Sequence, residues 1–410
     1  MGLAENNGEK KEEEKKKREH VSLIPLPLLY FLALLLSAAS AVLLTHLFVP
    51  SPIRPIHYSL AAPSSLPRPL RPSFLSHLLE DRVYGAYALA VDEKSGHFFV
   101  GLRTGIIAEI AVNNDGQARI VRGLRLTSSE GCDGSYASFP RCGRPLGLRF
   151  SPSGTLLIAD AYLGIFEVDL AKEKVYTLVR GGALLEGGPS DAPPLRFAAD
   201  VDVLPDGRLV IVETSTRFDH RDAALDFMEA RPNGRVLLFD PSNEKLSLLA
   251  GDLFHPTSLQ VVYNAIIVSE SGRQRLLKWE EAEGESGVFV DGLPGPLGLI
   301  RQSMTGDGFW LAIPATFSSF DGWLAERPTV RTLLAKVLSR QMLHSVLVYL
   351  REPSTMALKI DAFTGGVLEV LSDEDGAPSL SLASCVVETA QRTILLGNEE
   401  DFHIVQLKIN

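Results

Sequence analysis

The chain has 410 residues and a formal net charge of −10 at pH 7, with 45 % hydrophobic and 22 % charged residues. That balance excludes wholesale disorder. The acidic surplus leaves nothing to neutralise a phosphate backbone, so no nucleic-acid partner is expected.

Residues 1–20 form a polar head in which Lys10, Lys11, Lys15, Lys16, Lys17 and Arg18 are mixed with Glu. Residues 21–49 then hold no Asp, Glu, Lys or Arg, and an apolar run of about 20 residues crosses roughly 30 Å of hydrocarbon. The run is long enough even if Pro25 and Pro27 leave its first turn non-helical. Only Arg54, Arg68 and Arg71 follow the run closely, so charge places the head in the cytoplasm and the body outside it. This is the pattern of a single-pass type II anchor of the secretory pathway, in the endoplasmic reticulum or plasma membrane. A cleaved signal peptide, with Ala39-Ser40-Ala41 as its cleavage pattern, also exports the body. A buried core helix is the third reading. Residues 50–80, Pro-rich over 50–75, read as a semi-stiff linker that stands the body off the bilayer.

Residues 81–410 repeat one cell: a turn Gly, a short apolar strand, a polar break and a second strand. SGHFFVGLRTGIIAEI, SGTLLIADAYLGIFEVDL, DGRLVIVET with NGRVLLFDP, NAIIVSESGRQRLLKWE, GDGFWLAIPA and QRTILLGNEEDFHIVQLKI are its six copies. Most are spaced like propeller blades. They predict an all-β, six-bladed β-propeller whose channel mouths carry function; a β-sandwich or barrel is the alternative. Residues 316–345 interrupt the fifth cell. Leu333, Leu334, Val337, Leu338 and Met342 fall on one helical face, with Arg331, Lys336 and Arg340 between them. The segment reads as a helix, either a lid or membrane-touching element, or one packed on the rim.

Cys132 and Cys142 would close a small loop in an exported body; two free buried thiols are the other reading. Cys385, in an apolar run, reads as a buried free thiol. Metalloprotease, Walker, dinucleotide and nucleophile-elbow motifs are all missing.

CGRPLGLRFSPSGTLLIADAYLGIFEVD resembles the strictosidine synthase-like family, in its adipocyte plasma membrane-associated branch. FAADVDVLPDGRLVIVETS, GRVLLFDPSNEKLSLLAGDLFHPTSL, VFVDGLPGPLGLIR and DGWLAERPTVRTLL extend the likeness over nearly all of residues 80–410. The resemblance implies a six-bladed propeller, an N-terminal anchor and a Cys pair ending at Cys142. It also implies a calcium ion in the channel of lactonase and arylesterase relatives, held by Glu, Asn and Asp side chains. Those positions hold Tyr87, Ala199, Thr257, Gly298 and Leu299 here, and the synthases' basic Glu falls near Cys385. A cation that wants six to eight oxygens finds only Asp200 retained. No cofactor is therefore expected, calcium being the family alternative.

The polar candidates left are Asp160, Asp200, Glu213, His255 and Glu270. Paired carboxylates can serve as acid and base, or they can cap turns through backbone amides. Two functions compete. One is a membrane-anchored binding or scaffolding module with a degenerate metal site, taking a small molecule or protein at the channel mouth. The other is an active esterase or lactonase-type hydrolase, or a synthase-like lyase. The membrane partner would be reached through residues 21–49.

Overall fold

The computed structural model describes residues 25–409 except 114, 188–191, 281–285, 351–353, 374–379, 381 and 390–391. The basic head and the first residues of the apolar run lie outside the described residues. The chain divides into two compact units, Met1–Ser51 and Pro52–Asn410.

In the first unit the apolar run forms helix α1 (Leu26–Phe48), none of whose residues is buried. Pro27 lies inside its first turn, where the first helical N–H groups have no partner to lose. At 1.5 Å per residue its 23 residues reach about 34 Å, enough to cross a bilayer.

The second unit holds six four-stranded antiparallel sheets. Blade 1 spans residues 88–125, blade 2 145–180, blade 3 198–253, blade 4 256–290 and blade 5 300–372. Blade 6 takes three strands from 383–408 and its outermost strand, Phe74–Leu78, from the other end of the chain. Phe74 pairs with Lys408 and Leu78 with Ile404, so the ring closes on strands from both ends and the propeller begins before residue 81. The inner strands of adjacent blades pack on one another all round the axis.

The repeated cell read from the sequence corresponds to the second and third strands of a blade. Second strands such as Leu156–Asp160, Leu209–Glu213, Ala265–Glu270 and Gly308–Ile313 are buried throughout, packed between neighbouring sheets. They therefore read as unbroken apolar runs. The outer strand Ala118–Arg125 instead alternates half-buried and exposed residues.

The Pro-rich segment does not stand off from the body. It straps the propeller, blade after blade. The Arg54 N–H donates to Glu229 Oε1 at 2.7 Å, Ala61 N–H to Gln274 Oε1 at 2.9 Å, Ser64 N–H to the Gly292 carbonyl at 2.8 Å and Leu70 N–H to the Val370 carbonyl at 2.7 Å. An extended chain with few internal bonds offers its free N–H groups to neighbouring surfaces.

Short helices gather at one end of the ring. They are α2 (Phe139–Cys142), α3 (Ala223–Glu229), α4 (Ser319–Ala325), α5 (Pro328–Val337) and α6 (Arg340–Leu350). The insert is three helices where the sequence suggests one face of a single helix. Extended backbone at Leu338 separates α5 from α6, and Val337 and Met342 are left exposed. Arg331 is buried instead, its guanidinium donating to the Met228 and Ala325 carbonyls at 2.6 and 3.0 Å. Ile53, Phe218, Leu225, Met228, Leu324, Ala335 and Leu343 form the core of this cap. Cys132 and Cys142 are joined in a disulfide, and Cys385 is free and buried.

Candidate functional site

Beneath α3 and α6, where the inner strands begin, lies a cavity of about 220 Å³. Phe227 of α3 and Leu347 of α6 overhang it; Tyr87, Thr257, Gly298 and Ser384 form its floor; Glu399 and Glu400 stand at one wall. Gly298 is there for contact. A Cβ on it would come within 2.4 Å of the Ser384 carbonyl oxygen, and the Leu299 N–H donates to that oxygen at 2.8 Å, so blades 5 and 6 could not approach with a larger residue.

The positions that the resemblance assigns to a calcium ion do not fit one here. Ala199 and Leu299 are core residues. Thr257 directs its hydroxyl to the Leu297 carbonyl at 2.8 Å. Asp200 is fully buried but already paired: Arg301 grips it with Nη1 on Oδ2 at 2.8 Å and Nη2 on Oδ1 at 3.1 Å. Ser258 Oγ adds a third bond at 2.5 Å, and Arg149 Nη2 lies 3.8 Å away. A planar guanidinium on both carboxylate oxygens satisfies the charge that an ion would otherwise meet. Among the described residues no three His, Cys, Asp or Glu side chains are placed to hold a metal.

The other candidates are dispersed, each serving its own blade. Asp160 accepts from the Tyr162 and Leu163 N–H groups at 2.9 Å. Glu213 accepts from Arg196 N–H at 2.7 Å and Arg235 Nε at 2.6 Å. Glu270 accepts from Phe254 N–H at 2.9 Å and Arg275 Nε at 2.6 Å. Burial pushes the Asp160 and Glu213 carboxyls up, with backbone donors and, at Glu213, Arg235 opposing it. All three end the second strand of a blade, where a carboxylate collects backbone donors of the turn. Only His255 borders the cavity, and it pairs with Asp226 at 2.7 Å.

The cavity's charged wall comes from residues the sequence reading passed over. His220 Nε2 lies 3.1 Å from Glu399 Oε1, and Arg144 Nη2 3.8 Å from the same oxygen. Glu400 meets Arg103 Nη1 at 3.0 Å and His344 Nε2, from α6, at 3.4 Å. Burial alone would raise the Glu399 carboxyl; the His220 hydrogen bond and the charges of His220, Arg144 and His344 hold it far below the usual range. The hydrogen bond to Glu400 lifts His344 above its ordinary value against the opposing effect of burial. Arg144 is buried, with Nε and Nη2 lacking hydrogen-bond partners, and its guanidinium lies over the Tyr87 ring at 5.5 Å. A signal for this wall exists in the sequence. The Glu pair directly follows Asn398, which holds in blade 6 the register at which Asp160, Glu213 and Glu270 end their strands.

Carboxylate–imidazole pairs beside an apolar cavity can hold and pass a proton, and the apolar walls suit a mainly apolar molecule.

Comparison with known proteins places this geometry in a lineage. Residues 199–299 match the family model for strictosidine synthase. The adipocyte plasma membrane-associated protein of Salmo salar is 32 % identical over 308 residues, covering 72 % of this chain and 70 % of its own length. The Homo sapiens protein of that name is 32 % identical over 213 residues, 49 % of this chain and 50 % of its own. A solved structure provisionally named a gluconolactonase superposes with a TM-score of 0.51 at 14 % identity, over 83 % of this chain and 94 % of its own, a likeness of fold alone. The chain belongs to the strictosidine synthase-like family, among the adipocyte plasma membrane-associated proteins.

Proposed function

We propose that the chain is a type II membrane protein whose propeller lies on the lumenal or extracellular side and binds a small, mainly apolar molecule in the capped cavity, without calcium. The carrying observation is the Arg301–Asp200 pair, which occupies the one acidic side chain retained from the family's ion site. The disulfide supports an oxidising compartment. Without a Lewis acid on the axis, calcium-dependent ester hydrolysis has no electrophile.

Thermal melts in calcium and in chelator test the reading, alongside turnover of phenyl esters and lactones. The melting temperature is expected to be the same in both, because a ligand that does not bind the folded state cannot stabilise it. Turnover is expected to equal that of denatured protein. A calcium-dependent rise in melting temperature with chelator-sensitive hydrolysis overturns the proposal.

A second reading, a metal-free acid–base hydrolase or lyase, is favoured by Glu399 and Glu400 facing His220 and His344 across the cavity wall. It requires turnover that survives chelator and is lost in Glu399→Gln.

A further inference from the structure

We propose that the helical cap docks on the headgroup layer of the membrane that anchors the chain. The inference rests on the anchor reading above and goes beyond it, since a tethered propeller could equally present any face to the bilayer.

The first argument is the tether. Helix α1 ends at Phe48, and Ile53 is already buried in the cap core. At ~3.3–3.6 Å per residue, the five steps between them reach no more than about 18 Å when fully extended. Ile53 cannot easily leave. Around it, Arg217 Nη2 donates to the Pro52 carbonyl at 3.0 Å, the Arg54 N–H to Glu229, the Ile56 N–H to the Glu229 carbonyl at 3.1 Å, and Arg331 to the Ile56 carbonyl. Whatever direction the span takes, the cap stays close to where it leaves the membrane.

The second argument is the chemistry of the cap's outer side. Among the described residues, the three helices of the insert each expose one large apolar residue: Trp323 of α4 at 43 %, Val337 of α5 at 46 % and Met342 of α6 at 54 %. The Arg327 guanidinium covers the Trp323 ring at 4.7 Å. An indole beside a basic group suits the boundary between headgroups and acyl chains. Outside the core, residues 316–345 carry Arg327, Lys336 and Arg340, the last paired with Asp222, against Asp321 and Glu326, in a chain of net −10. That contrast favours an anionic lipid surface over a second acidic copy of the chain.

The test uses the full chain reconstituted in vesicles containing phosphatidylserine. Nitroxide labels are placed through Val337→Cys, Met342→Cys and, on the opposite end of the propeller, Lys172→Cys. Native Cys385 is buried and the other two cysteines are bridged, so labelling stays at the introduced site. Collision of each label with oxygen, which partitions into lipid, is compared with collision by a water-soluble nickel chelate. The oxygen-to-nickel ratio is expected to be several-fold higher at 337 and 342 than at 172. On the unlabelled chain, brominated acyl chains are expected to quench a fluorescence component that disappears in Trp323→Phe. Aqueous ratios at all three positions with no bromine quenching overturn the proposal. Protection of 337 and 342 from both reagents also overturns it, in favour of a covering protein copy. Failure of the anchor reading shows separately, as release of the unlabelled chain by alkaline carbonate. Labelled variants that melt like the wild type exclude unfolding as the cause of any ratio.

Discussion

Asp200 and Arg301 lie 101 residues apart in sequence and meet at the axis of the ring, where neither is open to solvent. Arg301→Met removes the two-pronged partner of the buried carboxylate, leaving only Arg149 Nη2 at 3.8 Å, and is expected to destabilise the fold by about 3–5 kcal/mol in denaturant unfolding. The double variant Asp200→Asn, Arg301→Met is expected to recover part of that loss, because no uncompensated charge remains. A double variant no more stable than the single one would show that packing, not charge, sets the cost. His344 supports a second expectation. Its value is raised above 6.5 by Glu400, so its contribution to stability is whole below that pH and fades as pH climbs through the raised value. Glu400 is lowered, burial being outweighed by His344 and Arg103, so its own share is lost only on the acid side, as pH falls through the lowered value. The melting-temperature gap between wild type and His344→Gln is therefore expected to be widest in mild acid and to close in alkali. A gap that ignores pH would assign His344 to packing alone.

At the scale of elements, the strap tests itself through one side chain. Ile53 is 1 % exposed within the cap core. Ile53→Ala is expected to destabilise the propeller by about 2–5 kcal/mol through lost burial and the cavity left behind, measured by equilibrium unfolding. A negligible change would mean the cap closes over the gap. The sequence does not advertise this contact, because a Pro-rich stretch has neither helical nor strand periodicity and its one buried residue looks like any other apolar residue in a linker. The second strands of the blades are legible for the opposite reason: burial on both faces makes each an apolar run punctuated by Gly. The break between α5 and α6 is hidden because apolar spacing continues across Ser339, and Arg331 reads as surface because its carbonyl partners come from other segments. The cavity wall divides in the same way. Glu399 and Glu400 come directly after Asn398, the position the repeat itself marks, whereas His220 and His344 reach them across 179 and 56 residues, a pairing that only the fold creates.

For the whole molecule, helix α1 and the proposed export of the propeller lead to a single expectation in sealed microsomes. The full chain is expected to resist alkaline carbonate extraction, and its propeller to resist added protease until detergent is present. A soluble form starting near Val42 would identify the apolar run as a cleaved signal. The way the ring closes also sets an order in time. Ser76 and Gln406 sit side by side in blade 6 although 330 residues separate them. At a synthesis rate of ~5–20 residues per second, the first strand waits on the order of tens of seconds for its partner to be made. Through that interval Phe74–Leu78 is an unpaired edge, open to the wrong neighbour. The nascent chain must therefore keep its beginning shielded until its end arrives.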